Sequence, residues 1–176
     1  MSNNTTEKVT IIVTKGSFDW AYPPFILAST AAALGKECSL FFTFYGLNLL
    51  LKDLSGLKVT PTGNPAMPMK MPMGPKWFQE INFGKYIPNA VLNNMPWMDD
   101  FATMMMKKTT KRHGVASIEE LRDLCQEADV KFLACQMTVD LFGYHTDDFI
   151  DGLDFVGATS YFEEAQDATK TMSLYI

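Results

Sequence analysis

Short apolar runs rich in β-branched and aromatic residues alternate with helix-forming segments along much of the chain. The predicted strands cover residues 9–14, 38–46, 130–135, 153–158 and 171–176. Several of these runs are almost continuously hydrophobic, which is typical of strands buried on both faces of a sheet. Strands that alternate with helices form parallel sheets. The sequence therefore predicts an α/β fold, a three-layer α/β/α sandwich with a mostly parallel sheet of about five strands.

Helical patterns lie between these strands. They cover residues 23–35, 47–54, 117–128, 136–143, 145–151 and 159–170. The first begins with two prolines and ends at a glycine, the usual asymmetry of a helix. In the third, Ser117 and Glu120 have the spacing of a capping box, which favours a helix start at this point.

The alternation stops between residues 57 and 114. This region holds seven of the nine prolines, nine of the twelve methionines and two of the three tryptophans. It is too long for an ordinary connection between two elements. We therefore predict a single domain, residues 1–176, with a Met/Pro-rich helical insertion at about 57–114. Its apolar side chains favour self-association, so a homo-oligomer is expected.

Composition and charge exclude several classes of function. The net charge of −5 argues against nucleic acid or an anionic membrane as the main partner, because both select basic surfaces. The longest apolar run, residues 38–51, is shorter than the roughly 20 residues that cross a membrane. The N-terminus lacks the features of a signal peptide, so a cytoplasmic location is predicted. Three cysteines do not suit a disulfide framework, and free thiols are expected.

Cys135 is the main candidate for chemistry. It ends the apolar run "VKFLAC", and a helix-forming segment follows at once. In an open parallel sheet, ligands gather at the carboxyl ends of the strands. A thiol before a helix N-terminus is favoured as the thiolate, which raises its reactivity. The alternative is that Cys135 only packs in the core, as cysteines often do.

The other two cysteines are weaker candidates. Cys125 lies beside the apolar stripe of the preceding helix, where it is either a half-buried packing residue or a catalytic one, as a resolving cysteine for Cys135 or a second sulfur-carrying site. The helix runs antiparallel to the strands, which separates the two thiols by about 15 Å of strand. A redox sensor based on a Cys125–Cys135 disulfide would therefore require movement. Cys38 opens the second strand at the opposite edge and is interpreted as structural.

Other side chains have possible supporting roles. Lys15 follows the first strand and could stabilise an anion or a thiolate, and His145 follows the helix after Cys135. The histidines and cysteines match no recognised metal-site spacing. The single glycine of "TKGS" is too little for a nucleotide-binding loop, so no cofactor is predicted.

The alternating methionines of the insertion raise a competing hypothesis. Met67, Met69, Met71 and Met73 carry soft thioethers, which suit Cu(I). Such residues more often form adaptable apolar contacts. A non-enzymatic module that binds a partner or Cu(I) through this insertion is therefore the alternative to thiol chemistry.

Taken together, these segments resemble the DsrE/DsrF-like family of sulfur-relay proteins. The resemblance runs through "TKGSFDWAYPPFILASTAAALG", "FFTFYGLNLLLK", "VKFLACQMTVDLFG" and "DGLDFVGATSYFEEA". The most specific part, "ACQM" with the following Asp and Gly, maps the reactive cysteine of the family onto Cys135. Cys125 matches a second cysteine found in part of this branch. Some relatives are called peroxiredoxins, but no Thr-x-x-Cys motif precedes any cysteine here.

The resemblance implies a sulfur carrier or sulfurtransferase-like protein. A family member of this kind holds sulfane sulfur as a persulfide, here on Cys135, and passes it to partner thiols. The implied partners are TusA-like sulfur carriers and rhodanese-type proteins. The resemblance also implies a cytoplasmic protein that is usually a homo-oligomer. An exposed position at the strand edge is expected to let these partners reach the thiol.

Overall fold

The computed structural model describes residues 7–59, 74–81, 97–166 and 170–176. The chain divides into two compact units. The first comprises Met1–Gly16, Trp20–Leu57 and Ile118–Ile176, and the second comprises Ser17–Asp19 and Lys58–Ser117. The sheet and all three cysteines lie in the first unit.

A five-stranded parallel sheet forms the centre of the first unit. Its strands are β1 (Glu7–Val13), β2 (Glu37–Phe42), β3 (Lys131–Cys135), β4 (Leu153–Val156) and β5 (Lys170–Tyr175). They lie in the order β4-β3-β2-β1-β5, and each neighbouring pair is parallel. The structure confirms the predicted α/β fold, the strand number and the parallel sheet.

Helices cover both faces of this sheet. Those of the first unit are α1 (Tyr22–Ala33), α4 (Ile118–Glu127), α5 (Gln136–Phe142) and α6 (Ala158–Gln166). The second unit contains α2 (Lys76–Glu80) and α3 (Met98–Arg112). Among the described residues, no helix has both the length and the apolar character that crossing a membrane requires.

The two faces of the sheet have separate cores. On one face, Phe25 of α1 packs against Phe42 and Phe132, with ring centroids 6.0 Å apart in both pairs. On the other, Phe41 packs against Tyr161 of α6, with ring centroids 5.0 Å apart. Phe41 and Phe42 are neighbours in β2, and successive strand residues point to opposite faces. The three layers follow directly from this alternation.

An ion pair attaches α6 to the amino edge of the sheet. Glu164 Oε1 lies 2.8 Å from Lys8 Nζ and 2.9 Å from Lys131 Nζ. Burial raises the pKa of Glu164, but the hydrogen bonds from the two lysines outweigh it, so the pKa lies below its usual value. The contribution of Glu164 to stability is therefore present above its unfolded pKa and is lost as pH falls through the lower folded pKa.

Three predicted elements differ from the structure. The second strand ends at Phe42, and a 3₁₀ helix, Phe44–Leu50, replaces the predicted helix at 47–54. The predicted helix at 145–151 is reduced to a 3₁₀ turn, Thr146–Asp148. The cause is tertiary, because Leu51 forms an antiparallel bridge with Phe149. Arg122 of α4 also donates to the carbonyls of Leu49 and Leu51, which ends the 3₁₀ helix.

The second unit has its own contacts. The hydroxyl of Thr103 donates to the carbonyl of Asp99 and accepts from the amide of Val59. Lys58 forms an ion pair of 2.7 Å with Asp100. Met67, Met69, Met71 and Met73 lie outside the described residues. The single domain with an insertion at about 57–114, and the insertion as a self-association surface, stay predictions.

The loops after β1 and β2 cross in close backbone contact. The amide of Thr43 donates to the carbonyl of Val13, and the amide of Gly46 donates to the carbonyl of Thr14. A Cβ atom on Gly46 would lie 2.2 Å from the carbonyl oxygen of Val13, and one on Gly16 would lie 1.8 Å from that of Tyr45. Only glycine fits at either position, because backbone atoms cannot move aside locally.

We predict that Gly46→Ala destabilises the protein by about 2 kcal/mol or more, the range expected when atoms are forced into a packed site. Urea unfolding followed by circular dichroism measures the change. Gly56→Ala is the matched control, because a Cβ atom there meets nothing within 4 Å. Equal stability of the two variants would contradict the close crossing.

Candidate functional site

Cys135 lies at the carboxyl edge of the sheet. It is the last residue of β3 and the residue immediately before α5, with an extended backbone (ψ 106°). Phe42 of β2 pairs with Ala134 of β3. The next residue along each strand, Thr43 and Cys135, therefore meet where the two strands end. This is the position that the sequence predicts for Cys135.

The thiol is less accessible than expected. Cys135 is only 5% exposed, and its side chain packs with Phe41, Leu133 and Tyr161. The expectation of an exposed thiol at the strand edge is therefore wrong. The sequence places Cys135 at the end of a strand, but it does not reveal that Tyr161 of α6 and Phe41 of β2 enclose that end.

The polar surroundings of Cys135 lower the pKa of its thiol, although its side chain makes no capping hydrogen bond to the start of α5. Burial raises this pKa, but the hydroxyl and amide of Thr138, the hydroxyl of Thr43 and the amide of Met137 lower it by more. The net pKa lies below the ordinary value of a cysteine. Hydrogen bonds to the charged form favour ionisation, so this site stabilises a thiolate.

The two threonines form a linked pair. Their hydroxyl oxygens lie 3.2 Å apart, and the amide of Phe44 lies 3.4 Å from the Thr138 hydroxyl, to which it donates. Phe44 has a φ of 48°, a rare conformation for a bulky side chain. Such strained residues cluster at functional sites because the surrounding structure holds them there. Here the strained conformation directs the Phe44 amide toward the Thr138 hydroxyl.

Sequence reasoning missed both threonines. Thr138 has a weak local signal, because it lies three residues after Cys135 in the first turn of α5. Thr43 has none, since it approaches Cys135 only through the pairing of β2 with β3.

Cys125 and Cys38 lie on the other face of the sheet. Cys125 is fully buried, and its thiol donates to the carbonyl of Phe25 at 3.4 Å. Burial raises the pKa of Cys125 to about 11 and that of Cys38 to about 12. The structure therefore does not bring Cys125 to Cys135. The pKa of Cys125 is raised, whereas that of Cys135 is lowered.

The proposed supporting residues have other contacts. Lys15 Nζ lies 3.3 Å from the centroid of the Trp20 ring, a cation–π contact. His145 forms a capping box with Asp148 at the start of the 3₁₀ turn. No described contact joins either side chain to Cys135. Among the described ranges, no group of three or more His, Cys, Asp or Glu is placed to hold a metal ion.

An exposed group of apolar side chains, here called the apolar rim, lies next to this site. It comprises Phe44 and Tyr45 of the 3₁₀ helix and Met137, Leu141 and Phe142 of α5. Met137 is 65% exposed and Leu141 is 64% exposed. The ring of Phe142 stacks on Tyr45 at 5.7 Å and meets Phe44 edge-on at 6.4 Å. Exposed apolar groups of this kind mark contact surfaces.

We predict that Cys135 reacts with iodoacetamide well before Cys38 at neutral pH. The two residues are equally exposed at 5%, so the comparison isolates ionisation. The rate at Cys135 should rise with pH and reach its plateau below the pH at which an ordinary cysteine does. Peptide mapping after timed alkylation of the native protein measures both sites, and equal labelling of Cys38 would contradict the assignment.

Comparison with known proteins identifies the family. The family model described as DsrE/DsrF/DrsH-like matches residues 5–173. The chain is 55% identical over 170 residues to the sulfur carrier protein DsrE2 of Allochromatium vinosum, covering 97% of this chain and 98% of that protein. It is 32% identical over 167 residues to the uncharacterized protein YrkE of Bacillus subtilis, covering 93% and 94%. The chain belongs to the DsrE/DsrF/DrsH-like family.

Proposed function

We propose that this protein is a sulfur carrier that holds sulfane sulfur as a persulfide on Cys135 and passes it to partner thiols. The observation that carries the proposal is the position of Cys135 at the carboxyl end of β3, directly before α5, where its surroundings lower the pKa of the thiol. A thiolate is the form of cysteine that attacks sulfur. The similarity to a protein named as a sulfur carrier gives independent support.

Loading begins with attack by the Cys135 thiolate on the terminal sulfur of a donor persulfide or polysulfide. A new S–S bond forms at Cys135, the donor S–S bond breaks, and its electron pair leaves with the donor thiolate. In discharge, an acceptor thiolate attacks the outer sulfur and forms a new S–S bond. The bond between that sulfur and Cys135 breaks, and its electron pair returns to Cys135. One sulfur atom moves in each step, and no external oxidant or reductant is consumed.

The apolar rim is the proposed contact surface for the protein that exchanges sulfur. It adjoins the site through Phe44, whose amide donates to the Thr138 hydroxyl, and through Met137, which lies two residues after Cys135 in the first turn of α5. TusA-like carriers and rhodanese-type proteins are the proposed partners, in a cytoplasmic setting. Because Cys135 is buried, the partner has to displace part of the rim to bring its own sulfur into reach. Self-association through the insertion is a separate proposal.

We predict that Cys135→Ser abolishes sulfur loading, whereas Cys125→Ser and Cys38→Ser retain it. Each protein is exposed to polysulfide, desalted and measured by intact-mass spectrometry before and after treatment with a reductant. A reversible gain of sulfur masses should appear in every protein except Cys135→Ser. Loading of Cys135→Ser to the level of wild type would contradict the proposal.

We predict that Met137→Gln and Leu141→Gln slow loading from a persulfidated rhodanese but not from inorganic polysulfide. The substitutions weaken apolar contact with a protein and leave Thr43, Thr138 and Cys135 unchanged. Leu34→Gln is the matched control, because Leu34 is 70% exposed at the end of α1. If all three variants load sulfur from persulfidated rhodanese at the same rate, the apolar rim is not the contact surface. Failure of the wild type to load from rhodanese would contradict a partner of that class.

A further inference from the structure

The helix α6 covers the face of the sheet on which Cys135 lies, and few of its side chains hold it there. Of the nine residues of α6, all of which the structure describes, only Tyr161 is buried. On the opposite face, the twelve-residue α1 buries Pro24, Phe25, Ala28 and Ala31. Segments with few buried apolar contacts open at a small cost in free energy, well below that of global unfolding. The helix α6 should therefore open more easily than α1.

Tyr161 belongs to the cluster that buries the Cys135 thiol. The cluster contains Phe41, Leu133, Cys135 and Tyr161, with Ile12 and Val156 partly buried against it. All of these except Tyr161 lie on strands of the sheet, where pairing with neighbouring strands fixes them. The ring of Tyr161 lies 5.0 Å from that of Phe41. Of the described residues in this cluster, only Tyr161 can therefore leave without disrupting the sheet.

Polar contacts attach Tyr161 and its helix to the sheet. The Tyr161 hydroxyl lies 3.2 Å from the Thr10 hydroxyl. Three residues later, the Glu164 carboxylate lies 2.8 Å from Lys8 Nζ and 2.9 Å from Lys131 Nζ. Lys8 is buried, so water competes little for this ion pair. Residues three apart share one face of a helix. That face of α6 thus places Tyr161 on the thiol cluster and Glu164 on the two lysines.

We propose that α6 is a lid that opens to admit small sulfur donors to Cys135, with Tyr161 as its cover and Glu164 as its attachment. This inference rests on the proposed carrier function and adds to it the route to the buried thiol. A partner protein that docks on the apolar rim can displace side chains, whereas a polysulfide ion cannot. With α6 closed, Cys135 is 5% exposed. Attack by its thiolate on a polysulfide therefore has to wait until the lid opens.

The fraction of time that the lid is open then determines the rate of loading. Lids open and close within microseconds to milliseconds, faster than a slow reagent reacts. The observed rate at Cys135 is therefore the rate of the accessible thiol multiplied by the open fraction. A change that weakens the attachment at Glu164 raises this fraction and leaves the residues around the thiol unaltered.

The variant Glu164→Gln tests the lid, because it removes the charge that Lys8 and Lys131 hold and changes no residue of the Cys135 cluster. The native protein is treated with iodoacetamide at fixed pH, and timed peptide mapping gives the rate at each cysteine. Alkylation of Cys135 should be about tenfold faster than in wild type, the effect of one hydrogen bond to a charged group. Loading from polysulfide, followed by intact mass, should accelerate by the same factor. The helix should stay closed most of the time, because the bonds to the carbonyls of Glu164 and Ala165 remain.

Controls distinguish opening of the lid from a general loosening of the fold. Glu163→Gln removes the same charge from an exposed position of α6 and should react as wild type. Cys125 is the internal reference, because it is fully buried on the other face of the sheet and its rate should not change. In low concentrations of urea, alkylation through the lid should hardly change, whereas alkylation through global unfolding rises steeply. Lys131→Gln, at a half-exposed side chain, provides a second measurement should Glu164→Gln not fold, with a smaller rise at Cys135.

The outcomes separate the two proposals. If the wild type takes up no sulfur, the carrier function fails, and with it the role of the lid in sulfur exchange. If the wild type loads sulfur but Cys135 reacts at one rate in Glu164→Gln and Glu163→Gln, only the lid is overturned. A parallel rise at Cys125 in Glu164→Gln also overturns the lid, because the whole fold has then loosened. Faster alkylation without faster loading from polysulfide overturns it as the route for sulfur.

Discussion

The polar surroundings of Cys135 at the end of β3 are the constraint on which the proposed chemistry depends. Burial alone would raise the pKa of this thiol, as it does for Cys38 and Cys125. The hydroxyls and amides at the end of β3 reverse that effect. The fold thus contains three buried cysteines, of which one is stabilised as a thiolate. Their difference lies in the local donors, because Cys38 and Cys135 are equally exposed.

Polar residues come together here because of the parallel sheet and its loops. The register of β2 against β3 places Thr43 beside Cys135, and α5 begins at once, which places Met137 and Thr138 in the turn that follows the cysteine. The crossing at Gly46 holds the β2 loop against the end of β1. At the amino edge of the sheet, Glu164 attaches α6 to Lys8 and Lys131. Tyr161 of the same helix covers Cys135. Packing and ion pairing therefore determine the geometry of the thiol.

Much of this could be predicted from local sequence patterns. The β-branched runs identify the strands, and a cysteine that ends one strand before a helix identifies the candidate thiol. The features that were missed depend on pairing between distant segments. Thr43 reaches Cys135 only through strand order, and Leu51 leaves its predicted helix because it pairs with Phe149. The burial of Cys135 likewise depends on Tyr161, 26 residues later in the chain. Single-sequence periodicity contains no information on these contacts.

The location of Cys125 also shows the limit of reasoning from residue type. A second cysteine ten residues before the first suggests a resolving partner, but α4 packs it against α1 on the other face of the sheet. Sequence spacing predicted a separation of the two thiols along the strand. It did not indicate that the sheet itself lies between them.

The most direct test of the central claim uses a protein in which Cys135 is the only cysteine. The Cys38→Ser/Cys125→Ser variant is loaded with polysulfide and desalted, and its sulfane sulfur is released with cyanide and quantified as thiocyanate. A carrier thiolate at Cys135 predicts about one labile sulfur per chain, which prior alkylation of Cys135 removes. A folded variant with no labile sulfur, or with the same amount after alkylation, would contradict the assignment of Cys135 as the carrier.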